Sequence, residues 1–262
     1  MISFFTHSGG AGIIRGEQVA KHLGAKLNPK SGFENDTCIY VKCVPPEHYS
    51  ENTYIDVVED SAGLRWVKSH PKVGIIASSK SIYDYLSKLP NKIVLIPQHH
   101  CNFDRWVRLV EKPNVVGIIG NKACFQYPIG EFEAKLNSMG MKLKTLIKKT
   151  FDSRQEVVDF YKTIDIQLVW RPGSDGILRN PLKLINAMSF GVPTIAYPEE
   201  DFVSVCDDGG YYFYPASSIG DMINMIKVIK DNNEFYEHKA KQGIAKAEEY
   251  HIDNISKLYL KL

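Results

Sequence analysis

The chain has 262 residues, of which 44% are hydrophobic, so it can bury a core in one large or two small domains. Its 32 Lys and Arg nearly balance its 30 Asp and Glu, which argues against nucleic acid or an anionic membrane as the main partner. The five cysteines are odd in number and form no CxxC pair, so neither a zinc site nor a disulfide framework is indicated. Because the sequence shows no signal peptide and no membrane-length apolar run, we expect a soluble protein of the reducing cytoplasm.

The first half of the sequence alternates short apolar segments with polar, helix-forming ones. Residues 2–25 predict a strand, a glycine-rich loop and a helix that stops at Gly24. Further strands are predicted within 37–44, 53–60, 73–79 and 92–97, and a helix at 81–89. This alternation is typical of a parallel sheet covered by helices.

A polar, proline-containing segment at 108–116 interrupts this pattern, and we predict a domain boundary there. The later predicted elements are strands at 114–120, 142–147, 165–170 and 192–197, helices at 153–164 and 180–191, and a helical tail from residue 217 onward. Ser153 and Glu156 have the spacing of a capping box. Four apolar side chains of the tail recur at helical spacing and are interpreted as core contacts: Met222, Met225, Ile226 and Ile229.

These elements predict an α/β protein with two open domains, residues 1–110 and 111–262. Whether the last helix packs back on the first domain stays open. Ligands of such sheets bind beyond the carboxyl ends of the strands. We therefore expect a cleft between the domains, lined by the loops that follow strands.

The first of these loops is rich in glycine. Gly9, Gly10 and Gly12 permit close approach of the backbone to a ligand, and the helix amino end that follows is suited to a phosphate. As a dinucleotide fingerprint the loop fails, because Gly10, Gly12 and Gly16 give GxGxxxG, which is one residue too long. A tight turn that needs glycine and a phosphate site remain comparable interpretations.

The helix predicted at 180–191 has clear boundaries and an unexpected charge at its start. Asn180 suits the N-cap, Pro181 suits the first helical position, and Gly191 suits the end of the helix. The amino end of a helix carries a partial positive charge, so a cation there costs roughly 0.3–1 kcal/mol. Cations at this end therefore indicate an anion that binds beside them.

Three cations surround that amino end: Arg171, Arg179 and Lys183. Together with the N–H groups of the helix they would bind a phosphate, and a diphosphate would suit them better. The alternative interpretation is that these side chains lie on a solvated face.

Two other loops offer polar side chains. His99 and His100 follow the strand at 92–97, and adjacent residues of an extended segment point in opposite directions, so they do not chelate a metal together. Each is either structural or a hydrogen-bonding residue of the cleft. Asp60 follows the strand at 53–60 and could assist proton transfer, and helix capping is the competing interpretation.

Four segments of the second half carry a resemblance to a known family: 154–172, 180–199, 211–231 and 239–260. The sequence PLKLINAMSFGVPTIA at 181–196 compares with the family pattern P-x-K-x-x-E-A-M-A-x-G-x-P-V-x-A. The first half matches more loosely, through HSGGAG, IDVVED, VGIIASSKSIYDYL and LIPQHHCNF. The chain thus resembles nucleotide-sugar glycosyltransferases of the GT-B fold, in the large retaining family with the E-x7-E motif.

The resemblance implies two Rossmann-like domains and an enzyme that moves a sugar from a nucleotide diphospho-sugar to a glycan, lipid or protein acceptor. It implies retention of configuration, no metal, no other cofactor, no nucleic acid partner and at most peripheral association with a membrane. Lys183 matches the family's lysine, and Arg171 is added as a second cation by proximity; with Asp60 they are the candidate catalytic residues. The candidate donor-binding residues are Asp175, Arg179, Asn180, Asn186 and Lys122. The candidate residues on the acceptor side, in the N-terminal domain, are Gly9, Gly10, Gly12, Arg15 and His99.

The sequence also departs from the family. The family carries two glutamates eight residues apart, and this chain has Leu178 and Asn186 at those positions. Asn186 can hydrogen-bond a ribose hydroxyl, and Asp175 is the candidate replacement for the first glutamate. Only Lys122 follows the first strand of the second domain, where the family has Arg and Lys.

Two other functions remain open from the sequence. The first is a catalytically silent protein that binds a nucleotide-sugar or a glycan, which the missing glutamates would permit. The second is a dinucleotide-dependent oxidoreductase, against which the spacing of the glycine loop and the build of the second domain argue. The donor base, the sugar, the acceptor and the oligomeric state are not predicted.

Overall fold

A computed structural model of the chain describes residues 1–7, 9–58, 61–173 and 180–262. The described chain divides into two compact units. The first comprises Met1–His99, residues 180–181 and Tyr250–Leu262, and the second comprises residues 100–173 and Leu182–Glu249. Each unit is built on one parallel sheet with helices, so the predicted α/β class with two parallel sheets is confirmed.

The strands of the first unit are β1 (Ile2–Thr6), β2 (Lys26–Leu27), β3 (Thr37–Val41), β4 (Thr53–Asp56), β5 (Gly74–Ala77) and β6 (Ile93–Leu95). Those of the second unit are β7 (Val115–Gly120), β8 (Lys142–Ile147), β9 (Ile166–Val169), β10 (Thr194–Ala196) and β11 (Phe213–Pro215). The helices are α1 (Val19–Leu23), α2 (Ser61–Lys68), α3 (Lys80–Leu86), α4 (Ile129–Ser138), α5 (Arg154–Tyr161), α6 (Leu182–Ser189), α7 (Glu200–Ser204), α8 (Ile219–Asp231), α9 (Asn233–Ala247) and α10 (Ile252–Tyr259).

The first sheet has six parallel strands in the order β2-β1-β3-β4-β5-β6. The five strands predicted in this half are present, and β3 to β6 are each shorter than the predicted segment; the two-residue edge strand β2 was not predicted. The chain leaves β1 toward one edge of the sheet and then continues from β3 toward the other. The loops after β1 and β3 therefore meet at a switch point, where sheets of this kind bind ligands.

The helix predicted after the glycine loop is present in two parts. A π-helical segment, Gly12–Gln18, precedes α1, and Gly24 ends α1 in the left-handed conformation with φ of 62°. A β-carbon at Gly12 would lie 2.2 Å from the carbonyl oxygen of His7, and one at Gly16 would lie 2.9 Å from Cγ2 of Thr6. These two glycines thus allow the π-helical segment to lie against the end of β1.

The second sheet has five parallel strands in the order β11-β10-β9-β7-β8. The strands predicted at 114–120, 142–147, 165–170 and 192–197 are present as β7, β8, β9 and β10. Besides β2, four helices and strands of the described chain were not predicted: α2, α4, α7 and β11. The switch point of this sheet lies between β7 and β9, because the chain passes from β7 to the edge strand β8 and returns to β9.

The predicted start of α5 is only half right. Oγ of Ser153 accepts the N–H of Glu156, as a capping box requires. The carboxylate of Glu156 accepts the N–H of Asp152 at 3.0 Å and pairs with Lys148, so it does not return to Ser153. The N-cap Ser153 is therefore confirmed. The carboxylate of Glu156 bonds the N–H of Asp152, one residue before the N-cap, in place of the N–H of Ser153.

The interpretation of the tail methionines is confirmed. Met222, Ile226 and Ile229 are fully buried in the core of the second unit, and Met225 packs partly buried against the same core. All four belong to α8, whose N-cap is Ser218. They are core contacts of that helix.

The last helix, α10, completes the first unit. Tyr259 packs against Phe4 with the ring centroids 5.4 Å apart, and Ile255 joins the same core, which also contains Val19 of α1. Nε2 of His22 in α1 and Oδ1 of Asp253 in α10 lie 3.4 Å apart at the surface. Among the described residues, no helix is both long and apolar enough to cross a membrane.

Candidate functional site

The loops at the switch point of the second sheet are joined by backbone hydrogen bonds. The loop after β7 contains a short 3-10 turn, Lys122–Cys124, and Trp170 extends the line of β9. The N–H of Trp170 donates to the carbonyl of Cys124 at 2.9 Å, and the N–H of Gln126 donates to the carbonyl of Trp170 at 2.7 Å. These bonds fix both loops beside each other at the carboxyl edge of the sheet.

Lys183 lies across the end of β7, on the first turn of α6. A β-carbon at Gly120, the last residue of β7, would lie 2.8 Å from Cε of Lys183 and 3.1 Å from Cβ of Cys124. Gly120 also has φ of 136°, a backbone conformation that residues with a β-carbon rarely adopt. The glycine therefore provides the space in which the Lys183 side chain reaches the switch point.

Two cations lie near the thiol of Cys124 at this edge. Burial raises the pKa of the Cys124 thiol, and the positive charges of Lys183 and Arg171 oppose that rise. Both cations are thus near enough to one thiol to act on it electrostatically. The roles predicted for Arg171 and Lys183 stay predictions.

The backbone at Lys183 is anchored to the interior of the sheet. Its carbonyl accepts a hydrogen bond from Nε2 of Gln167 at 3.1 Å and one from the hydroxyl of Tyr161 at 3.4 Å. Gln167 is fully buried and also donates to Thr194. These polar core residues were not identified from the sequence, in which Gln167 appears as an ordinary residue of an apolar strand.

Arg171 makes a two-pronged ion pair with Glu199, which follows β10. Nε and Nη2 of Arg171 donate to the two carboxylate oxygens, and the two side chains are 14% and 8% exposed. Such a fork-to-fork pair orients the guanidinium and offsets much of its charge. An anion that binds Arg171 must compete with Glu199, a residue that the sequence analysis did not select.

Asn186 is buried and supports a neighbouring loop. Its Oδ1 accepts the N–H of Cys101 at 2.8 Å, which leaves the side-chain NH₂ as its donor group. Lys122 is exposed in the 3-10 turn, and Asn180 is half-buried just before α6. The helix begins at Leu182, so Pro181 precedes it, one residue short of the predicted first helical position.

Three candidate residues lie outside the described residues: Asp60, Asp175 and Arg179. The end predicted for α6 is confirmed, because the helix stops at Ser189 and Gly191 follows with φ of 73°. Within the described part of the chain, no group of three or more His, Cys, Asp or Glu side chains is arranged to hold a metal ion.

The glycine loop lies at the switch point of the first sheet. Gly9 and Gly10 have φ of 105° and 49°, which explains the need for glycine at these positions. A β-carbon at either would meet nothing within 4 Å, so space is open above both. Gly12 differs, because it is buried against His7 and leaves no room for a ligand on its Cα.

Two residues predicted on the acceptor side are buried inside the first unit, which corrects the expectation that they face a ligand. Arg15 is 1% exposed, and its Nε donates to the carboxylate of Asp56 at 2.6 Å. His99 is also buried, with Nε2 at 2.7 Å from the carbonyl oxygen of Ile14. Burial raises the pKa of the Asp56 carboxyl, and the charge of Arg15 opposes that rise.

The two parallel-sheet units define the class of the molecule, which is the GT-B fold of glycosyltransferases. A glycosyltransferase from Rickettsia africae has a TM-score of 0.59 and 10% sequence identity, over 99% of this chain and 97% of that one. HepE from Anabaena, solved with UDP and glucose, has a TM-score of 0.59 and 11% identity, over 99% and 98%. The GtfA/B complex has a TM-score of 0.55 and 15% identity, over 87% of this chain and 52% of that one, so the chain spans about half of its length.

No family model matches the chain, and no curated protein matches it in sequence. At identities of 10–15%, the likeness to the solved structures establishes the fold alone. The activity must be argued from the site.

Proposed function

We propose that the protein is a glycosyltransferase of the retaining family with the E-x7-E motif, and that it moves a sugar from a nucleotide diphospho-sugar to a glycan, lipid or protein acceptor. The donor binds at the switch point of the second sheet, and the acceptor binds on the first unit. The reaction proceeds with retention and without a metal ion. HepE, a neighbour in fold, was solved with UDP and glucose, and this supports a nucleotide-sugar as the donor.

One observation carries the proposal. Lys183 crosses the end of β7 over Gly120, in the first turn of α6, at the place where sheets of this type bind ligands. A cation there is unfavourable beside the partial positive charge of the helix start, and a bound anion offsets that cost. The diphosphate of a nucleotide-sugar is such an anion.

The chemistry follows from this position. The bond between the anomeric carbon and the diphosphate breaks, the acceptor oxygen forms the new bond, and its proton passes to a base, for which Asp60 is the candidate. Negative charge develops on the leaving diphosphate. Lys183 and the N–H groups at the start of α6 stabilise that charge more in the transition state than in the ground state, which lowers the barrier.

Arg171 would act together with Glu199. The carboxylate already orients the guanidinium, and a phosphate that contacts Arg171 must compete with this ion pair. We therefore assign the main charge contact to Lys183 and an orienting contact to Arg171.

A second candidate is a silent binding protein with the same donor site. Asn186 favours this candidate, because it stands where the family has a glutamate and its side-chain oxygen already accepts the N–H of Cys101. Both candidates bind a nucleotide-sugar, but only the transferase turns it over. Measuring binding and turnover in one experiment therefore separates them.

The test is a thermal-shift screen of UDP-, GDP- and dTDP-sugars, followed by measurement of nucleoside diphosphate release with the donor that binds. A selective donor raises the apparent melting temperature by mass action. Lys183→Ala removes a charge-assisted contact of about 1.5–3 kcal/mol, so the affinity should fall about 10- to 100-fold. The matched control is Lys227→Ala, an exposed lysine of α8, which should bind as the wild type does.

Release of nucleoside diphosphate that Lys183→Ala abolishes and Lys227→Ala preserves supports the transferase. Binding of one donor without turnover over a broad acceptor panel supports the silent protein. If no nucleotide-sugar binds, or if Lys183→Ala binds as tightly as the wild type, the proposed donor site is wrong.

A further inference from the structure

Six buried polar side-chain atoms of the first unit have no hydrogen-bond partner in the described part of the chain. Besides the hydroxyl of Tyr40 and Oδ1 of Asn91, they are Nη1 of Arg15, Oγ of Ser78, Oε1 of Gln98 and the hydroxyl of Tyr259. These last four residues are at most 2% exposed. More than nine in ten buried polar groups in proteins are hydrogen-bonded, and an unsatisfied one is costly. A group of such atoms in one region therefore requires a physical explanation.

Arg15 fixes the location of this group. Its Nε donates to Asp56 at the end of β4, and its Nη2 donates to the carbonyl of Ile96, just beyond β6, at 2.8 Å. Since β5 lies between β4 and β6, the guanidinium passes over the end of β5. The third nitrogen, Nη1, is the one without a partner.

Ser78 directly follows β5, whose end the guanidinium crosses. Ile76, two residues earlier, belongs to the core that contains Tyr259, so an extended chain directs Ser78 to the same face of the sheet. Tyr259 comes from α10 on the facing side, and Arg15 is near enough to lower the pKa of its hydroxyl, although burial raises that pKa overall. Gln98 follows Ile96 by two residues.

We propose that Arg15, Ser78, Gln98 and Tyr259 enclose a binding site for buried water, which bonds their unpartnered atoms and holds the π-helical segment below the glycine loop. The site takes a small guest, because all four residues are almost fully buried. It takes a neutral guest, because the charge of Arg15 is balanced by Asp56. Water suits the mixture of donors and acceptors, since one buried molecule makes two to four hydrogen bonds.

The consequence concerns Arg15 itself. It belongs to the π-helical segment Gly12–Gln18, which follows the glycine loop. Water at Nη1 completes the bonding of the guanidinium to β4 and β6, so the segment is fixed at its base. Arg15 is thereby a positioning residue for the loop, and this role does not depend on the proposed sugar transfer.

Tyr259→Phe and Tyr214→Phe test the proposal as a matched pair in the full-length chain. The hydroxyl of Tyr214 is also buried without a partner in the described chain, but it lies in the apolar core of the second unit. Removing an unsatisfied hydroxyl should leave the folding equilibrium constant unchanged or raise it. Removing one that bonds buried water should lower that constant roughly tenfold, and urea unfolding measures the difference.

The proposal is supported if Tyr259→Phe and Ser78→Ala lower the folding constant of the first unit while Tyr214→Phe does not lower that of the second. It is overturned if Tyr259→Phe and Ser78→Ala leave the folding constant unchanged or raise it. A crystal structure adds a direct readout: ordered water about 2.7–3.2 Å from Nη1 of Arg15 supports the site. An anomalous peak there after a bromide soak would identify an anion and overturn the assignment of water.

Discussion

Gly120→Ala tests whether the position of Lys183 depends on the space at the end of β7. The new β-carbon would lie 2.8 Å from Cε of Lys183, whereas carbon atoms in contact lie about 3.5–4.0 Å apart, so Cε must move by about 1 Å. The backbone must also hold alanine at φ of 136°, which costs about 1–3 kcal/mol. The variant should therefore lose stability in urea unfolding by this amount.

The same displacement should lower activity. Misplacing a reacting group by about 1 Å can cost about 100-fold in rate, so nucleoside diphosphate release by Gly120→Ala should fall by that order. The control is Gly130→Ala in α4, where a β-carbon meets nothing within 4 Å. It should gain up to about 1 kcal/mol in helix stability and keep full activity. If Gly120→Ala retains the stability and the turnover of the wild type, the reasoning about Lys183 is refuted.

Two further predictions concern ion pairs. Glu199→Gln removes the negative charge that faces the half-buried guanidinium of Arg171, so the free energy of unfolding should fall by about 1–3 kcal/mol, and an unchanged value in urea titration would contradict the ion pair. The pKa of Asp208 is lowered to about 2, first by the N–H of Gly210 and then by Lys246, so its contribution to stability is present above pH 4 and is lost as the pH falls toward 2. Asp208→Asn should remove that part of the acid dependence, and an NMR titration in which Asp208 titrates near pH 4 would contradict the assignment.

The sequence predicted the sheets well, because their signals are local. β8 coincides with the predicted segment 142–147, and Gly24 and Gly191 end their helices in left-handed conformations as expected. These features depend on neighbouring residues in the chain. Short or strongly polar elements such as α2 and α7 were missed, because eight or five residues carry too little periodicity to be distinguished from a loop.

The candidate site was predicted only in part, because much of it is built by residues distant in sequence. Lys183 was found from a local conflict between its charge and the helix start. Glu199 is 28 residues from Arg171, and only the parallel order of β9 and β10 brings the two together. The burial of Arg15 depends on Asp56, 41 residues away, so no local pattern could separate an interior arginine from one that faces a ligand.

The position of α10 has a consequence for biosynthesis. Most of the first unit precedes the second in the chain, but Ile255 and Tyr259, two of its core side chains, come from residues that follow the second unit. Chains emerge from the ribosome from the amino end, and domains fold as units when their residues are available. The second unit is therefore complete as a translated segment before the first, and α10 covers its apolar face of the first sheet only after residues 250–262 are made.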